Sequence, residues 1–150
     1  MNFTQKEMNM LQELKSQEQI CHEKYAKYAA DACDGQLKNL FSQLGQVEYH
    51  HYETINQILS GTVPQMSGGS SSQSAQATYN STCNNEQKQK DKYLCSDALA
   101  TEKYVSSVYD TSIFEFRDTN IRNILNHIQK EEQGHGEKIY NYMSQNGMYN

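Results

Sequence analysis

The sequence predicts an all-α protein, a bundle of four helices made of two helical hairpins. Two long stretches of the chain lack proline and are rich in helix-forming residues, and a segment of very different composition separates them. Each stretch contains a turn signal near its middle. Between these signals, apolar residues recur every three or four positions, as expected for helices that each bury one face.

The first hairpin is predicted over residues 4–60. Thr4-x-x-Glu7 is a capping box, a pattern that starts a helix by pairing side chains with free backbone N–H groups. Asp34-Gly35 marks a tight turn, after which the second helix runs on to Gly61. The apolar face of these two helices comprises Leu11, Leu14, Cys21, Tyr25, Ala29 and Ala32, followed by Leu37, Leu40, Leu44, Ile55 and Ile58.

The second hairpin is predicted over residues 86–146. Its first helix runs from about Glu86 to about Phe116, and Asp118 is the predicted N-cap of a last helix that ends near Gly147. The apolar face of these two helices comprises Cys95, Ala98, Val105, Tyr109, Ile113 and Phe116, followed by Ile121, Leu125, Ile128, Ile139 and Tyr142.

Residues 61–85 differ from both hairpins. They contain the only proline and a Gly/Ser-rich core without periodicity, which predicts a flexible linker. A linker of this length can cross the whole bundle, so we expect residues 1–150 to form a single domain with one long crossover.

Composition excludes several classes of partner. The net charge of −5 and pI near 5.5 argue against binding to nucleic acid or anionic membranes. No apolar run approaches the roughly 20 residues needed to span a bilayer. The start of the chain lacks the apolar core of a secretory signal, so we expect a protein kept inside the cell. The four cysteines show no CxxC spacing; Cys21 is expected to be an inert buried thiol and Cys83 to be exposed.

The two hairpins are also an internal repeat with an offset of 84 residues. This offset superimposes turn residues, apolar positions and polar exceptions together, which chance would rarely produce. The matched pairs are Glu18 with Glu102, Tyr25 with Tyr109, Asp34 with Asp118, Glu48 with Glu132, His51 with His135, and Ile55 with Ile139.

Polar residues interrupt each apolar face in a fixed pattern. In each half a Glu is followed thirty residues later by Glu-x-x-His. The turn lies midway in this spacing, so each glutamate of a pair is about 15 residues from it. The two glutamates therefore lie at the same height in adjacent helices. Glu and His at positions i and i+3 then point into one layer. We therefore expect six side chains to meet in the core: Glu18, Glu48, His51, Glu102, Glu132 and His135.

This donor set predicts two bound metal ions, iron or manganese. Four carboxylates and two imidazoles suit hard divalent cations, and carboxylates can bridge two ions. Buried without cations, four carboxylates would be costly. A single Glu-x-x-His is usually solvated surface, but two copies on apolar faces favour the metal interpretation. We expect the four glutamates to hold and bridge the ions, and His51 and His135 to be terminal ligands.

Other polar residues near the predicted ligands are not expected to bind metal. Tyr25 and Tyr109 are either hydrogen-bond donors behind the ligands or plain core residues. His22 and His127 are expected at the surface, His50 is expected to point away, and Glu23 and Glu131 are expected to be solvated. Gly134 and Gly136 flank His135 and suggest a helix bulge there.

These motifs resemble known families. Glu-x6-Tyr together with Glu-x-x-His resembles the rubrerythrin and bacterioferritin branch of the ferritin-like superfamily. The ending KIYNYMSQNGMYN and the Gln- and Ser-rich middle resemble the spore-coat protein F family of endospore-forming bacteria. The resemblance implies a ferritin-like bundle made in the cytoplasm of the mother cell and assembled on the spore coat, by self-association or with other coat proteins.

The resemblance also implies a function in sporulation and oxidative stress. A rubrerythrin-type di-iron or di-manganese centre would act as a peroxidase or oxidase on peroxide or oxygen. Because no CxxC pairs supply a rubredoxin-like centre, it would need an external electron donor. Two alternatives stay open, a purely structural coat protein with an inert or vestigial site and an iron-oxidising storage protein assembled as a cage.

Overall fold

Four long helices make up the protein in a computed structural model that describes residues 1–65 and 76–149. Over these residues there are four helices and no strands, so the prediction of an all-α four-helix bundle is confirmed. The helices are α1 Gln5–Asp31, α2 Gly35–Leu59, α3 Asn85–Glu115 and α4 Thr119–Gln145. Within the described part of the chain, no helix combines the length and hydropathy needed to cross a membrane.

Side-chain caps fix where the helices begin. Thr4 and Glu7 form the predicted capping box, in which each side chain accepts a hydrogen bond from the other residue's backbone N–H. Asp118 caps α4 as predicted. A second capping box, Asn84 with Gln87, starts α3 and was not predicted. These caps satisfy N–H groups that have no partner inside the helix.

The helices pack as two hairpins whose apolar faces meet. α1 lies mainly against α2 and α3 against α4, with further contacts between α1 and α3 and between α2 and α4. The buried apolar residues form two clusters. One includes Leu37, Phe41 and Tyr142, and the other includes Leu14, Ile55 and Ile121. The polar exceptions of the sequence pattern lie between these clusters.

The chain crosses the length of the bundle between α2 and α3. Gly61, with a φ of 89°, ends α2 beside the first residues of the chain. The residues before α3 lie at the opposite end, where Asn80 N–H donates to Gln36 at the start of α2. Of the predicted linker over residues 61–85, positions 66–75 lie outside the described residues.

Residues 76–84 pack against the bundle end. The Tyr79 ring meets Tyr142 edge-on with 5.2 Å between centroids, and its N–H donates to Gln145. Ser81 is buried and its N–H donates to Asn146. This part of the predicted linker therefore belongs to the folded domain.

A pair of buried carboxylates ties the two hairpins together. Asp91 of α3 accepts hydrogen bonds from the N–H groups of Cys33 and Asp34 in the α1–α2 turn. Glu7 of α1 accepts a hydrogen bond from the N–H of Arg117 in the α3–α4 turn. Glu7 with Asp91, and Cys33 with Arg117, are separated by the repeat offset of 84. The sequence repeat is thus an approximate two-fold symmetry of the fold.

The bulge suggested by Gly134 and Gly136 is absent from α4, which is described along its whole length and runs as α-helix from Thr119 to Gln145. A Cβ atom added at Gly134 would meet nothing within 4 Å, and one at Gly136 would make an ordinary contact with Leu99. The favourable packing of the surrounding helix outweighs the low helix propensity of glycine here.

Candidate metal centre

The six predicted side chains meet in one layer between the two apolar clusters. All six belong to buried residues, with exposures between 0% and 4%. α1 contributes one glutamate and α3 contributes the other, whereas α2 and α4 each contribute a Glu-x-x-His pair. The residues in this layer are Glu18, Glu48, His51, Glu102, Glu132 and His135.

Their ligand atoms form two groups that overlap. One oxygen or nitrogen from each of Glu18, Glu48, His51 and Glu132 lies within 4.8 Å of the others. The second group has the same property and comprises Glu48, Glu102, Glu132 and His135. Each group could hold one metal ion. Glu48 and Glu132 belong to both, whereas Glu18 and Glu102 belong to one each, so the geometry allows bridging by Glu48 and Glu132.

The two imidazoles face this layer with the same nitrogen. His51 Nδ1 lies 3.0 Å from Glu132 and 3.2 Å from Glu48. His135 Nδ1 lies 3.0 Å from Glu48 and 3.4 Å from Glu102. The rings are stacked with 6.0 Å between centroids. Each histidine therefore contacts a glutamate of the opposite hairpin, as the two-fold relation requires.

Two tyrosines donate hydrogen bonds to Glu18 and Glu102, the two glutamates that each belong to only one of the ligand groups. Tyr25 of α1 donates a hydrogen bond to Glu102 of α3, and Tyr109 of α3 donates one to Glu18 of α1. Both tyrosines are buried. They are core residues and hydrogen-bond donors together, so the two roles considered for them coexist.

The four glutamates of the layer have pKa values shifted in opposite directions, although burial favours the neutral form of each. Burial raises the pKa of Glu18 well above its ordinary value, and burial together with Glu132 raises the pKa of Glu102 to about 7. Burial acts the same way on Glu48 and Glu132, but hydrogen bonds with neighbouring groups outweigh it and lower the pKa of both. The layer therefore combines two carboxyl groups whose pKa is raised with two whose pKa is lowered.

The pKa values of the two histidines are also shifted by the cluster. Burial opposes their charged form, yet the carboxylates around them raise the pKa of both His51 and His135 well above the usual value. Metal ions bind deprotonated carboxylates and neutral imidazoles, so cation binding here would release protons.

Several polar atoms of the cluster have no hydrogen-bond partner among residues 1–65 and 76–149. These atoms are Oε2 of Glu18, Glu102 and Glu132, together with Nε2 of His51, and all are shielded from solvent. Buried polar atoms normally find partners, and a cation would satisfy the three oxygens. The donor set, its burial and these free oxygens fit a pair of divalent ions.

Glu131 and His127 contribute to this region in a way that the sequence analysis missed. Glu131, expected to be solvated, has a side chain that is 35% exposed, and its Oε1 lies 2.8 Å from His127 Nε2 and 3.5 Å from His51 Nε2. The spacing of four residues between His127 and Glu131 was a usable signal for their pairing. The proximity to His51 was not visible, because it depends on how α2 and α4 pack.

The other histidines and the cysteines lie outside the six-residue layer. His22, expected at the surface, is half-buried and its Nδ1 lies 2.9 Å from the Gly45 carbonyl oxygen. Cys21 is buried as expected, and burial raises the pKa of its thiol. Cys83 was expected to be exposed, but packing of the segment before α3 leaves it half-buried.

One comparison with known proteins matches the second hairpin. Residues 90–150 match the family model described as Coat F domain. No curated protein and no solved structure matches the chain. The matched region comprises most of α3 and all of α4, which is less than half of the chain. It supports the resemblance of this half to the spore-coat protein F family, and it contains Glu102, Glu132 and His135.

Proposed function

We propose that this chain is a ferritin-like protein of the spore coat whose buried cluster binds a carboxylate-bridged pair of iron or manganese ions that reacts with peroxide or oxygen. The observation that carries the proposal is the pair of overlapping four-ligand groups that share Glu48 and Glu132. The Coat F match over residues 90–150 supports the coat assignment.

Each group of side chains has a distinct task in this proposal. Glu48 and Glu132 would bridge the two ions, Glu18 and His51 would complete one site, and Glu102 and His135 would complete the other. Bound as a pair, redox-active ions supply one electron each, and reduction of peroxide to water consumes two. The apolar clusters on either side exclude water from the ligands.

Turnover would require an external electron donor, and coat assembly would require protein partners. The chain contains no CxxC pair that could carry a rubredoxin-like iron. Exposed aromatic side chains, including Tyr93, Tyr104 and Phe114 on α3, offer contacts for self-association or for other coat proteins.

The test begins with protein purified without added metal. Anaerobic loading with Fe(II) should give about two ions per chain, as in other bundles with this ligand set, and the loaded protein should consume peroxide rapidly in a stopped-flow measurement. Glu48→Ala removes a ligand shared by both sites and should abolish binding and reaction. The control Glu23→Gln changes an exposed glutamate and should behave as wild type. Equal iron binding by the Glu48→Ala variant would overturn the proposal.

A structural coat protein with an inert site is the second candidate. The observation in its favour is that the cluster already pairs its own charges, since both histidines contact carboxylates at 3.0 Å. In that case metal would still raise the melting temperature by mass action. Peroxide consumption would then be no faster in the loaded wild type than in Glu48→Ala. An iron-storage cage would instead appear as a very large particle in light scattering.

A further inference from the structure

Two clefts related by the approximate two-fold symmetry lie at different heights along the groove between α2 and α4. The first, which we call the His127 cleft, has a volume of about 260 Å³ and is lined by His50, His51, Thr54, Gln57, Pro64, Gln65, Ile124, His127, Ile128 and Glu131. The second, the Lys138 cleft, has a volume of about 420 Å³ and is lined by Leu40, Gln43, Gln76, Ala77, Tyr79, Gly134, Glu137, Lys138 and Asn141.

The chemistry of the two clefts differs at positions that the repeat makes equivalent. His127 of the first cleft corresponds to Gln43 of the second, and Thr54 corresponds to Lys138. Glu131 corresponds to Val47, which cannot bind a cation. The His127 cleft therefore offers imidazole and carboxylate donors, whereas the Lys138 cleft has a lysine ammonium that repels cations beside Glu137.

The His127 cleft also reaches a predicted ligand. His51 is 1% exposed, and its Nε2 has no hydrogen-bond partner in the part of the chain that the structure describes. This atom lies 3.5 Å from Glu131 Oε1 at the inner end of the cleft. Glu131 is 35% exposed and His127 is 42% exposed, so this pair connects solvent to the buried layer. Among the described residues that line the Lys138 cleft, the equivalent ligand His135 is not included.

We propose that the His127 cleft is the route by which divalent cations reach the buried cluster, and that Glu131 and His127 bind the arriving ion first. This inference rests on the proposed function, because it requires a site that takes up metal. A carboxylate and an imidazole at the mouth replace part of the hydration shell before the ion moves inward. Only one of the two related clefts has both donors, so uptake uses that cleft alone in an otherwise two-fold-symmetric bundle.

The test follows Co(II) uptake by its visible absorption in a stopped-flow instrument, with metal-free full-length protein. The double variant His127→Gln/Glu131→Gln should slow loading about tenfold, the lower end of the effect of charged clefts on association rates. Release into excess chelator should slow by the same factor, leaving the equilibrium affinity and the final number of ions per chain unchanged. A matched control, His22→Gln/Glu23→Gln, removes the same two side-chain types elsewhere and should load at the wild-type rate.

Each contrary result has a separate meaning. An unchanged uptake rate in His127→Gln/Glu131→Gln overturns the route, as does equal slowing in the matched control. Slower uptake in a Gln43→Ala variant alone would assign the route to the Lys138 cleft instead. Weaker affinity with unchanged uptake would make Glu131 a residue that only positions His51. Wild type that binds no Co(II), Fe(II) or Mn(II) at all would refute the proposed function itself.

Discussion

At the scale of single residues, the cluster depends on groups that never touch the proposed ions. Tyr25 and Tyr109 each donate a hydrogen bond across the hairpin interface to a glutamate. Such contacts fix the orientation of a ligand before metal arrives, and their loss typically weakens metal binding 10- to 100-fold. The sequence identified both tyrosines by their place in the repeat, but their partners depend on how α1 and α3 pack.

Replacing Tyr109 with Phe should therefore weaken Co(II) binding about 10- to 100-fold, because Glu18 loses the hydrogen bond that the Tyr109 hydroxyl donates to it inside the core. A competition titration against a chelating dye measures this change. The matched control is Tyr28→Phe, which removes a tyrosine hydrogen bond to Asp97 outside the cluster and should leave affinity unchanged. Equal affinity of all three proteins would show that the tyrosine only fills space.

The ionised Glu7 side chain stabilises the folded state, and this contribution to the free energy of unfolding is lost at low pH. Hydrogen bonds from Arg117, aided by the backbone N–H groups of Thr4 and Arg117, lower the pKa of Glu7 from 4.5 to about 2. A carboxyl whose folded-state pKa is lowered stabilises the fold fully above the unfolded-state value. That contribution declines as the pH falls from about 4.5 and is lost below about 2.

Glu7→Gln should therefore cost about 1–2 kcal/mol at pH 7, discounted because the Arg117 side chain is largely exposed. The difference between variant and wild type should shrink steadily as the pH falls from 4.5 toward 2. Urea unfolding of both proteins at several pH values checks the sign. A difference that stays constant with pH would mean that shape, not charge, explains the effect.

At the scale of helices, the apolar periodicity and the capping residues were enough to predict the number of helices and most of their boundaries. Apolar spacing located four helices because a buried face repeats every 3.6 residues, and Thr4, Asp34 and Asp118 placed the starts of α1, α2 and α4 within a residue or two. The bulge expected beside His135 was wrong, because local glycine propensity is weak compared with packing along a 27-residue helix. Asp91 lies four residues before Cys95 on the apolar face of α3 and is the repeat partner of Glu7, but its hydrogen bonds to the Cys33 and Asp34 N–H groups depend on how the two hairpins pack.

Two helical glycines should respond oppositely to alanine. Gly134→Ala should stabilise the protein by about 1 kcal/mol, because the added Cβ meets no atom of the described residues within 4 Å and alanine favours the helix. Gly45→Ala should destabilise it by about 1 kcal/mol, because its Cβ would lie 3.2 Å from Tyr25 Cβ, which is fixed to the α1 backbone. Thermal and urea unfolding of both metal-free variants test this. Stabilisation by Gly45→Ala would show that α1 and α2 can separate easily.

At the scale of the whole molecule, the internal repeat predicted more than any single motif. An offset of 84 residues aligned both halves of the ligand layer, and the structure reproduces that relation in the paired contacts of Tyr25 with Glu102 and Tyr109 with Glu18. The repeat could not reveal where the halves differ in function. Glu131 became informative only when packing placed it beside His51, and its counterpart Val47 gave no hint.

The crossover was the least predictable part of the fold. Its Ser-, Asn- and Thr-rich composition offers little apolar surface, so the sequence suggested a tether throughout. Residues 76–84 nevertheless bind the bundle end through backbone hydrogen bonds to Gln36, Gln145 and Asn146. Such contacts use side-chain amides from distant helices, and local sequence rules do not identify them.

The crossover should therefore divide into a dispensable part and an anchoring part. Deleting residues 69–72, which lie in the Gly/Ser-rich core, leaves six residues between Gln65 and Gln76 to complete the crossover. This deletion should change the free energy of unfolding by less than about 1 kcal/mol, because loop length has a small entropic effect. Tyr79→Ala should cost about 1–3 kcal/mol, because it removes an aromatic contact with Tyr142 from the edge of the core.

Urea unfolding of the two metal-free proteins compares these effects, and Co(II) titration reports whether the ligand layer survives. We expect full Co(II) binding after the deletion. Binding should weaken only slightly in Tyr79→Ala, because Tyr142 lies next to Asp34 at the bundle end rather than in the ligand layer. If the deletion were the more damaging change, the anchoring contacts would have to involve residues 69–72. The division of the crossover drawn from Tyr79 and Ser81 would then be wrong.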